Sequence, residues 1–186
     1  MVKTLSSMIA LGTVAPDFKL IEPNSGNYKT LKELQGTSAT VIMFICNHCP
    51  FVKHITSELV VLANDYSEQG VSLIAINSND VESYPEDSPE NMVKEAAANG
   101  YPFPYLFDES QQVAKAYHAV CTPDFFVFDA DLACIYRGQL DDSRPGNDVA
   151  VSGSDIRAAL NAAITANPVL EMQKPSVGCN IKWKNS

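Results

Sequence analysis

Cys46 and Cys49 are the closest pair among the five cysteines of this chain, and Asn47 and His48 separate them. A dithiol–disulfide exchange centre needs two thiols that can reach each other, one of them ionised and able to attack a partner disulfide in line. Residues i and i+3 share a helix face, and the unsatisfied N–H groups of a first helical turn favour a thiolate at its tip. The pair therefore predicts Cys46 as the attacking nucleophile and Cys49, one turn further in and more buried, as the resolving thiol. Pro50 lacks an N–H group that the first turn does not use, and so marks a helix start. A protonated His48 is expected to stabilise the Cys46 thiolate; the competing reading is a solvated loop residue. Lys53 and His54 are read as exposed helix residues.

The elements around the pair give the motif its specificity. Thr40 to Ile45 is a continuous apolar run that suits a strand buried on both faces of a mostly parallel sheet. Phe51, Ile55, Leu59, Leu62, Ala63 and Tyr66 recur at three- or four-residue spacing, which predicts an amphipathic helix ending near Gly70. Val71 to Ile76 returns as a strand. The resulting βαβ unit puts Cys46 and Cys49 at the carboxyl end of its first strand, the edge where open α/β sheets carry their chemistry.

Further along, 77–90 is polar and reads as a long surface loop. Ser88-Pro89-Glu90 starts a helix that should stop near Asn99-Gly100. Tyr105 to Phe107 is a short strand, and Glu109 to His118 a further helix. Phe125 to Phe128 and Leu132 to Arg137 flank Asp129-Ala130-Asp131 as an antiparallel hairpin, so the expected sheet is mixed. Asp141 to Gly153 reads as a second polar loop with solvated charges, Asp155 to Ala166 as a final helix, and 168–186 as a C-terminal tail without periodicity.

Composition narrows the function classes. With 186 residues and 46% hydrophobic side chains, the chain can bury one sizeable core, and a single domain over 1–186 is expected. A formal net charge of -9 repels phosphates, so nucleic acid is not an expected partner. No stretch approaches the roughly 20 apolar residues that cross a bilayer, and no membrane role is expected. Five unevenly placed cysteines do not form a secreted disulfide framework, and the expected compartment is cytoplasmic. A CxxC also supplies half of many zinc sites, but no second CxxC or HxxxH is present. No cofactor or resident metal is expected.

Gly12-Thr13-Val14-Ala15-Pro16-Asp17-Phe18, the Cys46 to His54 segment, and Gly178-Cys179-Asn180-Ile181-Lys182-Trp183-Lys184 together resemble the thioredoxin superfamily. The likeness is to its redoxin branch, the AhpC/TSA peroxiredoxin-like proteins, in a subgroup with a Cys-Asn-His-Cys-Pro segment. The resemblance implies a thioredoxin-like α/β fold with a central mixed sheet flanked by helices, an N-terminal extension and a C-terminal tail. Thr122-Pro123 is similar to the cis-proline loop that faces the CxxC in such folds, which implies that the Thr122 backbone is offered to an extended substrate chain. Cys121 then lies close to the pair, either as a third exchangeable thiol or as a packing residue. Cys134 is read as packing; Cys179, beside Trp183, either covers an apolar patch of the sheet, the favoured reading, or folds back towards the site as an extra resolving thiol.

The chain also departs from its relatives' patterns. Thr40 and Ile45 stand where typical thioredoxins carry a buried acid and a Trp, and the Pro-xxx-Thr/Ser-xx-Cys pattern of peroxiredoxins fits neither cysteine. The leading expectation is thiol–disulfide exchange with protein or small-molecule thiols and disulfides. The alternatives are an antioxidant thiol peroxidase, and a carrier of a soft ion such as Cu(I) on Cys46, Cys49 and His118.

Overall fold

The computed structural model describes residues 3–169 and 171–185. In chain order the strands are β1 (Lys3–Leu5), β2 (Lys19–Glu22), β3 (Asn27–Thr30), β4 (Ala39–Phe44), β5 (Val71–Asn77), β6 (Tyr105–Phe107), β7 (Cys121–Thr122), β8 (Asp124–Asp129), β9 (Cys134–Gly138) and β10 (Val177–Asn180). The α-helices are α1 (Leu31–Leu34), α2 (Pro50–Tyr66), α3 (Pro89–Asn99), α4 (Gln112–Ala116) and α5 (Ser154–Ile164). Seven strands form a mixed sheet in the order β3-β2-β6-β5-β4-β8-β9, and β1-β10-β7 form a second, small sheet. This is the α/β, thioredoxin-like architecture that the sequence predicts.

The β4 run is apolar throughout because both faces of the sheet are covered. Val41 and Met43 face one cluster with Val52, Leu59 and Leu62 of α2 and Ile156 and Leu160 of α5. Ile42 and Phe44 face another with Phe18, Ile74, Phe126, Phe128 and Tyr117. β4 pairs in parallel with β5 and antiparallel with β8. It is thus fixed on both edges immediately before the cysteine pair.

Pro50 takes the first turn of α2, with Cys49 as its N-cap residue, and a short 3₁₀ turn carries the chain to Gly70 at φ 73°. Ser88 caps α3 by accepting from the Asn91 N–H, and Gly100 closes it in the left-handed region. α4 is shorter than the expected 109–118 helix, because Gln111 at φ 62° breaks the helical path and the Asp108 carboxylate takes the Ala114 N–H.

Three further expectations are corrected. The 77–90 segment is no open surface loop: Asn77, Ser78, Asn79, Asp80 and Asp87 are buried. Asp141 is likewise buried, its carboxylate accepting from the backbone N–H groups of Ser143 (2.8 Å), Ser152 (2.7 Å) and Gly153 (2.7 Å). The 168–186 tail contains β10, threaded between β1 and β7. Among the described residues no helix is long and apolar enough to cross a membrane.

Candidate active site

The chain leaves β4 at Phe44, and Cys46, Asn47, His48 and Cys49 form the turn into α2. Both thiols are shielded, Cys46 at 2% and Cys49 at 0% exposure. Across the turn lies the cis Thr122–Pro123 peptide. The Thr122 hydroxyl is 3.4 Å from Cys46 Sγ, and the Thr122 carbonyl oxygen 3.2 Å from Cys49 Sγ. Cys46, Cys49, Thr122 and Pro123 are thus brought together as the sequence implies.

The Thr122 backbone, however, is not open to an extended substrate. Thr122 stands opposite Cys179 in the antiparallel β7–β10 register, so the chain's own tail occupies that edge. The close approach requires Gly178, where an added Cβ would lie 2.1 Å from the Thr122 carbonyl oxygen.

The two thiols are shifted in opposite directions. Cys46 is held well above the usual thiol range, first by its hydrogen bond with Cys49, then by burial and the nearby Asp87 charge, with the Thr122 hydroxyl opposing. Cys49 is pulled down to about 5: the hydrogen bond from Cys46 lowers it most, burial opposes, and bonds from the Cys179 thiol and the Val52 N–H add to the lowering. The mutual influence of the two sulfurs is the first cause of both shifts, so the pair titrates as a coupled unit.

His48 does not serve as a free cation for Cys46. Its Nδ1 lies 2.7 Å from Asp87 Oδ2, and its ring is parallel to Tyr84. The Asp87 bond raises the His48 pKa above its ordinary value against the effect of burial. For Asp87, burial pushes upward, but the bonds from His48 and Asn79 outweigh it and leave the carboxyl below its ordinary value.

Asp87 is the functional residue that sequence reasoning misses. Its Oδ1 accepts from the backbone N–H groups of Asn47 (2.8 Å) and His48 (3.3 Å), and its Oδ2 from the Asn79 amide (2.7 Å) as well as the imidazole. One buried carboxylate thus sets the backbone of the turn between the cysteines. Asn47 completes the brace, its amide donating to the Glu86 carbonyl and accepting from the Tyr105 hydroxyl. The one available signal is that Asp87 precedes the Ser88-Pro89 helix start, which fixes its backbone.

Among the described residues, the group that converges closely enough to hold an ion is Cys46, His48 and Asp87, with ligand atoms within 4.8 Å of one another. His118, the expected third ligand of a soft ion, is not part of it. Asp124 is buried at the start of β8, and burial holds its carboxyl well above the usual range. The Cys121 thiol beside it is likewise raised, first by burial. Cys121 donates to the Pro123 carbonyl at 3.7 Å and Cys134 to the Tyr136 carbonyl at 3.5 Å, the contacts of packed thiols. Cys179 is different: its Sγ is 2.7 Å from that of Cys49.

A mixed sheet with a CxxC between its central strand and the following helix, faced by a cis-proline, defines a thioredoxin-like dithiol site. The AhpC/TSA family matches residues 11–136, and the chain belongs to that family. An uncharacterized conserved protein from Geobacillus kaustophilus, known as a crystal structure, is 62% identical over 100% of this chain and 98% of its own, with a TM-score of 0.98. A hypothetical protein from Sinorhizobium meliloti 1021 is 49% identical, with 98% and 100% of the two chains covered and a TM-score of 0.96. The thiol-disulfide oxidoreductase ResA of Geobacillus kaustophilus (strain HTA426) is 29% identical over 128 residues, 68% of this chain and 67% of that protein.

Proposed function

We propose that this chain is a thiol–disulfide oxidoreductase in which Cys46 attacks a partner disulfide and Cys49 resolves the mixed disulfide. The observation that carries the reading is the placement of Cys46 and Cys49 across the turn into α2, each sulfur within 3.4 Å of Thr122 in the cis Thr122–Pro123 peptide. The name of the ResA relative supports it. Cys46 precedes the helix, whereas Cys49 is enclosed by the Thr122 carbonyl and Cys179, which supports Cys46 as the sulfur that attacks an incoming disulfide. As Cys46 attacks, the Cys49 thiolate takes its proton; a Cys46–partner bond forms and one partner sulfur leaves as thiolate. Cys49, after passing that proton to the departing thiolate, attacks Cys46, forms the Cys46–Cys49 disulfide and releases the second partner sulfur. The Thr122 hydroxyl at 3.4 Å favours the transient Cys46 thiolate.

The partners are protein or small-molecule thiols and disulfides, and the cysteine count supports the cytosol as the compartment. Insulin reduction with dithiothreitol tests the activity. Cys49→Ser is expected to accumulate a mixed disulfide through Cys46, and Cys46→Ser none. Peroxide consumption in place of insulin reduction, or trapping through Cys49 alone, would overturn the proposal.

A further inference from the structure

Cys179 lies 130 residues from Cys49 in sequence and 2.7 Å from it between sulfurs. A disulfide bond measures about 2.05 Å, so a small rotation of either side chain closes the gap. Both sulfurs are buried, and no solvent layer separates them.

The approach is built into the fold. Opposite Cys179 on one side of β10 stands Lys3, and on the other Thr122. Just before β10, the Ser176 N–H donates to the Ser6 hydroxyl (2.9 Å), and the Ser176 hydroxyl to the Gly138 carbonyl (2.8 Å). Just after it, Ile181 N donates to Val120 O (3.0 Å), Lys182 N to Asn79 Oδ1 (2.8 Å), and Asp80 N to Lys182 O (2.8 Å). The strand is thus anchored on both sides of Cys179, which limits how far its sulfur can drift from Cys49.

We propose that Cys179 is a third redox thiol of this centre, and that Cys49 alternates between a disulfide with Cys46 and a disulfide with Cys179. The proposal rests on the thiol–disulfide exchange reading above. Once a partner disulfide has oxidised the chain to Cys46–Cys49, the Cys179 thiolate attacks Cys49 Sγ. The Cys49–Cys179 bond forms, the Cys46–Cys49 bond breaks, and the electron pair leaves on Cys46, which takes the proton Cys179 gave up. No net electrons move, so the step is a disulfide isomerisation and needs no further oxidant. Its product keeps the disulfide in the interior and returns Cys46 as a thiol. The reverse attack by Cys46 makes the oxidising equivalent available again.

The electrostatics suit the order of events. In the reduced protein the Cys179 thiol is pushed up to about 12, first by burial and then by its bond to the Cys49 thiolate and by that charge. When Cys49 enters a disulfide, the last two causes vanish, while burial still raises the thiol and the nearby Lys182 ammonium opposes it. Cys179 therefore ionises more readily after the partner has been reduced than before.

The test uses the full chain as wild type, Cys46→Ser, and Cys46→Ser with Cys179→Ala. Each is equilibrated with glutathione/glutathione disulfide mixtures, blocked with N-ethylmaleimide in denaturant and mapped by mass spectrometry. The expected result is that oxidised wild type yields both Cys46–Cys49 and Cys49–Cys179 linkages, that Cys46→Ser forms Cys49–Cys179, and that the double variant forms no internal disulfide. Wild type with the Cys46–Cys49 link, alongside a folded Cys46→Ser chain whose remaining thiols all react with maleimide, overturns the third thiol and leaves the exchange reading intact. Wild type with neither linkage overturns both. If Cys46→Ser does not fold, the wild-type map decides alone, a Cys46–Cys49 link without Cys49–Cys179 at any glutathione ratio counting against the proposal.

Discussion

Replacing Asp87 with Asn removes one charge from the interior and leaves the shape of the side chain nearly unchanged. Wild-type Asp87 accepts from the two backbone N–H groups of Asn47 and His48 with one oxygen, and from the His48 ring and the Asn79 amide with the other. Asparagine keeps one acceptor for the backbone pair, but its NH₂ then meets two donors. The variant loses one charge-assisted bond and one bond to a neutral amide, and leaves their donors without an acceptor. Taken together the loss is about 3 kcal/mol. In a chain of 186 residues that lowers the melting temperature by about 6–12 °C.

The pH dependence separates the ion pair from mere packing. Asp87 is lowered from 3.8, so its contribution is present above that value and is lost as pH falls through the depressed one. His48 is raised from 6.5, so its contribution is complete below that value and is lost as pH rises through the raised one. The stability gap between wild type and Asp87→Asn in urea unfolding should thus be largest between pH 3.8 and 6.5 and shrink on both sides. A gap below about 1 kcal/mol at pH 5.5, or one that is flat with pH, would refute the reasoning. Because the Asp87 charge also raises Cys46, the variant should alkylate faster at that thiol.

Other perturbations read other parts of the site. Thiolate absorbance of the reduced protein should persist at neutral pH and disappear as pH falls through about 5, and Cys46→Ala should move that step upward by removing the largest cause of the lowering. Thr122→Val removes the hydroxyl beside Cys46, about 1 kcal/mol of thiolate stabilisation, so insulin reduction should slow about 5-fold. Gly178→Ala sets a Cβ against the Thr122 carbonyl, which should cost about 1–3 kcal/mol or undock β10; in either case Cys179 should react faster with Ellman's reagent. Asp141→Ala leaves three backbone donors without their acceptor and should lower unfolding stability by about 2–3 kcal/mol in urea, with the cysteine chemistry unchanged.

What the sequence made legible follows from local chemistry. The apolar run into Cys46, the spacing to Cys49, Pro50 at the first turn and the periodicity beyond it describe contacts between near neighbours, and the structure reproduces the β4–α2–β5 unit from them. The cis Thr122–Pro123 peptide came from a resemblance and is present. The features that were missed or left open depend on distant partners. Asp87 looks like any carboxylate in a polar loop until the fold places it 2.8 Å from the Asn47 N–H. Cys179 lies in a four-residue strand too short to show a period, and its neighbour at position 49 is set by pairing with β1 and β7.

The central claim is that two sulfurs at the start of α2 exchange electrons with a partner disulfide as one reversible couple. Equilibrating the full chain across a series of glutathione ratios, with thiols counted at each point, measures this directly. The account predicts a single reversible loss of two thiols per chain with Cys49 in every internal disulfide formed. Thiols that stay reduced across the series, or an oxidised chain that leaves Cys49 alkylatable, would contradict it.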